Sequence, residues 1–357
     1  MRLDRYQSFF FPVIASRGCP EACSFCFSKR MTRGFRTYPL RHVLAQIRAR
    51  PASVRAMYFV DDNLAGDVDF ARELFRELAK LEPRTPFGMQ VRTEFCLDPE
   101  NLRLAHEAGC ALITTGFESL NQATLDRTGK GALAARYQEI VAAIQTEGMM
   151  ASGNFVFGFD WDGPDTFEKT WEFLRDSRIY HSTFTTEIPF PGTATYQRYL
   201  REGRILTTDY DEYIGKDKVV VRPLGMTPEQ LQGGIRWLTS QYYSVPHRHA
   251  LYRHAYQNER LFPELRGWAR RPALLSLNYF QWFLYTYRMV PSLRWLYDRL
   301  VPLNKYRFVG DLRRGTNFWK EPFTPAATAT RLDAAQSRSP FYERSGAMKP
   351  GAQKLVV

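Results

Sequence analysis

Ser16-Arg17-Gly18-Cys19-Pro20-Glu21-Ala22-Cys23-Ser24-Phe25-Cys26-Phe27 holds three of the chain's five cysteines, spaced Cys-x-x-x-Cys-x-x-Cys on a loop that contains Gly18 and Pro20. A short apolar run, Phe11 to Ala15, leads into it. A loop of this kind can wrap around one small object. Thiolates at this density suit zinc or an iron-sulfur cluster, and structural zinc takes four ligands in a closed tetrahedron. No fourth ligand stands at such spacing: His42 is well downstream, and Cys96 and Cys110 lie far along the chain. Three thiolates on a [4Fe-4S] cluster leave one iron open to a small molecule, which is a catalytic arrangement. The competing reading is a loop of metal-free cysteines.

Outward from this loop the sequence alternates short apolar runs with segments of helical period. The strand candidates are Val13 to Ser16, Ala56 to Asp61, Phe87 to Val91, Ala111 to Phe117, Gly153 to Phe159 and Phe184 to Ile188. Helices are expected from Pro39 to Arg48, from Val68 to Leu81, after the Asp98-Pro99-Glu100 cap, from Leu133 to Glu147 and from Pro164 to Arg175. Six strands alternating with helices predict an α/β fold, a partial (β/α)6 TIM-like barrel with a C-terminal helical extension. In such barrels the site forms where strands end and loops begin. The cysteine loop follows the first strand and so falls on that rim.

With Phe25 just before the last cysteine, the spacing resembles the radical S-adenosylmethionine (SAM) superfamily. The resemblance implies a [4Fe-4S] cluster on Cys19, Cys23 and Cys26 whose free iron chelates SAM and whose reduced form cleaves it to a 5'-deoxyadenosyl radical. It implies roles for three further segments. Asp61-Asp62-Asn63 occupies the place of a Gly-Gly-Glu-type contact to the SAM amino group, a departure also met in the branch related to cobalamin-binding enzymes; the plain alternative is a cap for the next helix, from Asn63 or Asp67. Gly116-Phe117-Glu118-Ser119 resembles the fourth-strand segment whose carboxylate, here Glu118, holds the ribose hydroxyls, with a helix cap as the alternative. Gly153 to Gly158 resembles the glycine segment that lies against adenine, with a bulge as the alternative. Arg92, at the end of the third strand, is a candidate anion contact. Pro189-Phe190-Pro191-Gly192-Thr193 again resembles the cobalamin-related branch. The resemblance covers roughly Val13 to Met226.

The sequence places fewer than twenty residues before Cys19 and no Asp-x-His-x-x-Gly histidine, so cobalamin is not expected within this chain. No signal peptide is read at the N-terminus, and the chain is read as cytoplasmic. At 357 residues, 44% hydrophobic and 24% charged, the composition is that of a globular protein. The net charge of +12 is concentrated late: between Gln241 and Pro325, 14 basic residues face 5 acidic ones. That surplus attracts anions, whether an acidic substrate, a lipid headgroup surface, a protein or nucleic acid, or it is simply a solvated arginine-rich surface. Domains are expected over residues 1–222 (barrel), 223–325 (an aromatic and basic helical region) and 326–357 (a flexible tail). Ala273 to Tyr297 is too often interrupted for a membrane span and reads as a lid, or as a peripheral membrane patch. His247, His249 and His254 read as surface or core histidines rather than metal ligands. The expected activity is C-H functionalisation of an acidic hydrophobic metabolite, tetrapyrrole-, polyketide- or lipid-like, with electrons from a donor such as flavodoxin or ferredoxin. The alternatives are a cobalamin-assisted methyltransferase drawing cobalamin from a partner, and a non-catalytic cluster- or zinc-binding subunit. An RNA-modifying role lacks an evident RNA-binding module, so nucleic acid is not expected as a partner.

Overall fold

The computed structural model describes residues 10–258 apart from 33, 53, 55 and 215–217, together with Leu261 and Leu274. The six expected strands are present: β1 (Phe10–Val13), β4 (Ala56–Phe59), β5 (Phe87–Val91), β6 (Cys110–Glu118), β7 (Met150–Phe157) and β8 (His181–Thr186). All neighbours pair in parallel, in the order β1-β4-β5-β6-β7-β8, so the sheet is a curled half-barrel. A two-strand ribbon, β2 (Ser16–Arg17) with β3 (Arg36–Thr37), flanks the cysteine loop. The helices are α1 (Ser28–Thr32), α2 (Leu40–Arg48), α3 (Val68–Ala79), α4 (Pro99–Glu107), α5 (Gln122–Arg127), α6 (Tyr137–Thr146), α7 (Thr166–Ser177), α8 (Ala194–Arg201), α9 (Pro228–Tyr242) and α10 (Val245–Gln257). Among the described residues no helix is long and apolar enough to cross a membrane. The expected lid over 273–297, apart from Leu274, and the tail over 326–357 lie outside the described residues.

Strand alternation sorts the side chains. Met57, Phe59, Phe87, Met89, Ile113, Phe117, Phe155, Phe157 and Phe184 point outward and are buried under the helices. Phe117 stacks near Phe155 with ring centroids 5.5 Å apart and meets Tyr137 of α6 at 4.6 Å and Phe173 of α7 at 5.5 Å. Each fully buried aromatic ring contributes roughly 1.5–3 kcal/mol. The opposite, concave face carries Tyr58, Gln90, Thr114, Asn154, Thr183 and Thr185. Two pairs there are internally bonded, Tyr58 to Thr114 at 3.2 Å and Thr183 to Asn154 at 2.7 Å.

Strand limits differ most from expectation at the first and last strands, for physical reasons; β4 also ends two residues early, at Phe59, and β7 begins earlier, at Met150. β1 stops at Val13 because the next backbone groups are taken by side chains: Gln46 bonds both N–H and C=O of Ile14, and Asp61 accepts from Ala15 and Ser16. β8 begins at His181, three residues before the expected Phe184, because His181, Ser182 and Thr183 are polar on both faces and leave no apolar signal there. Gly158, with φ +99°, ends β7 two residues before the expected limit. Helix starts follow their caps: Asp67 accepts from Phe70 N–H at 3.0 Å, Asp98 from Glu100 N–H at 2.9 Å, and Thr227 with Gln230 forms a capping box.

Beyond β8 the chain turns over a buried polar cluster. Tyr199 of α8 donates to Glu187, and Asp160 is held by Arg198 and Arg204, each at 2.6 Å. Burial pushes the Glu187 carboxyl up to about 8, with the charge of Asp160 adding to it and Tyr199, Arg198 and Arg204 opposing. The folded protein thus keeps a proton that the unfolded chain releases above the ordinary glutamate value. This stabilisation is whole below that value and is lost as pH rises through about 8. The melting temperature is expected to fall between pH 6 and pH 9, with a shallower fall for Glu187→Gln, measured by circular dichroism.

Candidate cofactor site

The cysteine loop leaves the sheet between β1 and the ribbon, and Asp61 holds its start. Its buried carboxylate accepts from Ala15 N–H at 3.2 Å, from Ser16 N–H, and from Ser16 Oγ at 2.6 Å. Gly18 then takes φ +80°, and a Cβ there would meet the Gly34 carbonyl at 2.6 Å and the Thr32 hydroxyl closer still. Only glycine makes that turn without strain. Two rings close the far side: Phe25 meets Phe159 edge-on at 5.7 Å and Phe27 stacks on Phe190 at 5.6 Å.

All three cysteines are free thiols, half-buried at Cys19 and Cys23 and exposed at Cys26. Among the described residues no three His, Cys, Asp or Glu side chains are drawn into a finished metal cage. The cysteines therefore qualify as ligands by type and by sharing one loop, not by measured coordination. Burial raises the Cys23 thiol, and the cations of Lys130 and Arg92 pull it back; burial also raises Cys26, whose neighbours Cys23 and Cys19 add to the effect. Arg92 Nη1 donates to Cys23 Sγ at 3.6 Å while its other nitrogens hold Glu94 and the Lys130 carbonyl. Asn63 Nδ2 lies 3.8 Å from Cys19 Sγ. Its Oδ1 is a buried acceptor with no protein partner. Asn63 also lines a cavity of ≈ 520 Å³ with Glu21, Arg92 and Glu94.

Glu118 ends β6 in the left-handed region at φ +60°, next to a register shift against β7. A non-glycine residue held there costs on the order of 1–3 kcal/mol and persists where surrounding contacts over-determine it. The contact is Lys130, 6% exposed, whose Nζ meets Glu118 Oε1 at 2.9 Å. Burial works against the Lys130 charge, and the charge and hydrogen bond of Glu118 more than offset it. Gly116 is glycine because a Cβ would run into Glu118 Oε1 and come within 2.9 Å of Lys130 Nζ.

The structure thus gathers Cys19, Cys23, Asn63, Glu118 and Arg92 on one rim. Asp61 faces back onto the loop backbone. Asp62 is exposed and accepts from Ser28 Oγ at 2.6 Å. Gly153 belongs to the outward face, where the rings of Phe117 and Phe155 fill the space of its missing side chain at 2.9 Å. Gly158 lies against Leu231 of α9, and its N–H is capped by Asp162 at 3.1 Å. Burial raises the Asp162 carboxyl to about 6. Cys96 and Cys110 are buried in the core, Cys110 pushed up to about 12 by that burial. His247 is packed against Trp171 and Tyr242 and is lowered by burial to about 4. Sequence reading missed Lys130. Its signal is Gly129-Lys130-Gly131, a lysine between two glycines that both take positive φ.

Comparison with known proteins agrees with this geometry. Residues 13–174 match the model of the radical SAM superfamily. The chain is 32% identical over 208 residues to bacteriochlorophyllide d C-12(1)-methyltransferase of Chlorobaculum tepidum, covering 57% of this chain and 45% of the relative. It is 30% identical over 205 residues to hopanoid C-2 methylase of Rhodopseudomonas palustris, covering 55% and 39%. The chain thus spans less than half the length of these curated relatives. Among solved structures, the cobalamin-dependent SAM radical enzyme OxsB, with aqua-cobalamin and SAM bound, shares the fold. Its TM-score is 0.54 at 16% identity, over 82% of this chain and 49% of that one. The cysteine loop, the half-barrel and the match over residues 13–174 are one finding, and by them this part of the chain is a radical SAM domain.

Proposed function

We propose that Cys19, Cys23 and Cys26 hold a [4Fe-4S] cluster and that SAM binds on the same rim, in a barrel domain spanning residues 1–222 with a helical region over 223–325. When bound and reduced, this pair supplies a 5'-deoxyadenosyl radical for hydrogen abstraction. The observation that carries the reading is the strained Glu118, held beside the cysteine loop by buried Lys130. Lys130 engages one oxygen of Glu118, and a carboxylate has about four acceptor positions, so capacity remains for a pair of ribose hydroxyls. The unpartnered Oδ1 of Asn63 suits an amino group, while Arg92 and Lys130 balance negative charge at the thiolates. Phe25 closes that side of the loop against Phe159.

The substrate class is an acidic hydrophobic metabolite, and the names of the two relatives, a bacteriochlorophyllide and a hopanoid methylase, support a large and mostly apolar molecule. Electrons come from a donor such as flavodoxin or ferredoxin, in a reducing compartment, the cytoplasm, that suits five free cysteines. The same relatives favour a second reading, methyl transfer assisted by cobalamin, as does the cobalamin in the OxsB structure.

Anaerobic reconstitution should load about four irons per chain, read by iron and sulfide analysis. Cys96→Ala and Cys110→Ala should keep that content, and loss of iron in either would reassign the site. Reduced protein with SAM and no added cobalamin should release 5'-deoxyadenosine, detected by chromatography. If S-adenosylhomocysteine and a methylated product form only when cobalamin is supplied, the second reading replaces the first. Glu118→Gln, which keeps the shape of the side chain, should weaken SAM binding about ten- to a hundredfold by calorimetry, since a hydrogen bond to a charged group is worth roughly 1.5–3 kcal/mol.

A further inference from the structure

We propose that Thr195, in the first turn of α8, is a positioning residue for the cysteine loop, acting through the hydroxyl of Ser24 to fix the spacing of Cys23 and Cys26. Ser24 stands between these two cysteines, and its polar groups are engaged by other parts of the barrel. Its N–H donates to the Thr128 carbonyl at 2.8 Å, and its carbonyl accepts from Thr195 N–H at 3.1 Å. The hydroxyl of Thr195 donates to Ser24 Oγ at 3.2 Å. Thr195 is 3% exposed, so its end of this bond is buried while Ser24 is half-buried.

Two features separate this from ordinary helix capping. The cap of α8 is Thr193, whose hydroxyl accepts from Tyr196 N–H at 3.1 Å. The Thr195 hydroxyl is therefore not needed to start the helix. The N–H groups of a first helical turn have no partner within the helix, and α8 gives one of them to the loop, directing its positive end at Ser24. The rings act on the same turn, because Phe190, five residues before Thr195, stacks on Phe27, the residue after Cys26. The segment beyond β8 therefore grips the loop at Ser24 and at Phe27, on both sides of Cys26.

The inference rests on the cluster reading, so its test has one arm without a cluster. Thr195→Val keeps the side-chain shape and removes the hydroxyl; Thr195→Ser keeps the hydroxyl. In cluster-free protein, alkylation of Cys23 and Cys26 by iodoacetamide, followed by mass spectrometry, should run about three- to tenfold faster in Thr195→Val than in wild type. Thr195→Ser should match wild type. In reconstituted protein, Thr195→Val should lose iron faster to a chelator and show an altered electron paramagnetic resonance signal when reduced. Equal alkylation rates and spectra in Thr195→Val and wild type would overturn the proposal, as would Thr195→Ser behaving like Thr195→Val. Wild-type protein that takes up no iron would sink the cluster reading, while the alkylation arm still judges the clamp. Should Thr195→Val fail to fold, Ser24→Ala removes the same bond from the loop side and carries the same comparison.

Discussion

The buried pair between Lys130 and Glu118 organises the mouth of the half-barrel. Removing one partner of such a pair costs about 3–5 kcal/mol, whereas replacing both by apolar groups is often neutral, so the pair is weak evidence for stability. Its surroundings point to a function instead. Glu118 accepts a left-handed backbone, Gly116 gives up a side chain, and Gly129 and Gly131 take positive φ to bring Lys130 inward. Three separate concessions of backbone and side chain converge on the position of one carboxylate. Such convergence is expected where a charged group must stand at a fixed place facing a ligand.

The cysteine loop obeys the same logic with different means. It has few backbone bonds of its own, so its shape is imposed from outside: by Asp61 at its start, Thr128 and Thr195 at its middle, and Phe159 and Phe190 at its end. These partners sit just beyond β4, in the turn after α5, and beyond β7 and β8. A parallel half-barrel makes this economical, because all its strands end on one rim and their following loops meet there.

This also explains what the sequence makes legible. The six strands and most helices show through because the outward face is mostly apolar and the caps at Asp67, Asp98 and Thr227 use residues with strong local preferences. The limits of β1 and β8 do not, since one is set by long-range hydrogen bonds from Asp61 and Gln46 and the other falls in a stretch that is polar on both faces. Helix α5 was missed because its six residues are mostly polar and its only signal is the Asn121 cap. At the rim, spacing and order single out the cysteines and Glu118, and the fold brings Cys19, Cys23 and Glu118 together. The face of Gly153 is not readable, because a glycine in a strand marks a close approach without saying from which side. Here the approach is by Phe117 and Phe155 from the helical side. The partnership of Lys130 with Glu118 spans twelve residues, with helix α5 between them, and no local pattern announces it.

Charge sets the last constraint on what this rim can recognise. The chain carries +12 overall, yet the described strands place neither lysine nor arginine on the concave face. Arg92 and Lys130, at the rim, already face Glu94, Glu118 and Cys23. An anionic group on a substrate entering the half-barrel thus meets neutral hydrogen-bonding side chains, Tyr58, Gln90, Asn154 and Thr183, rather than a free strand cation. Those groups suit oxygen and nitrogen atoms on an otherwise apolar framework. The described strands thus hold no cation ready for a carboxylate, and the basic surplus of the sequence lies between Gln241 and Pro325.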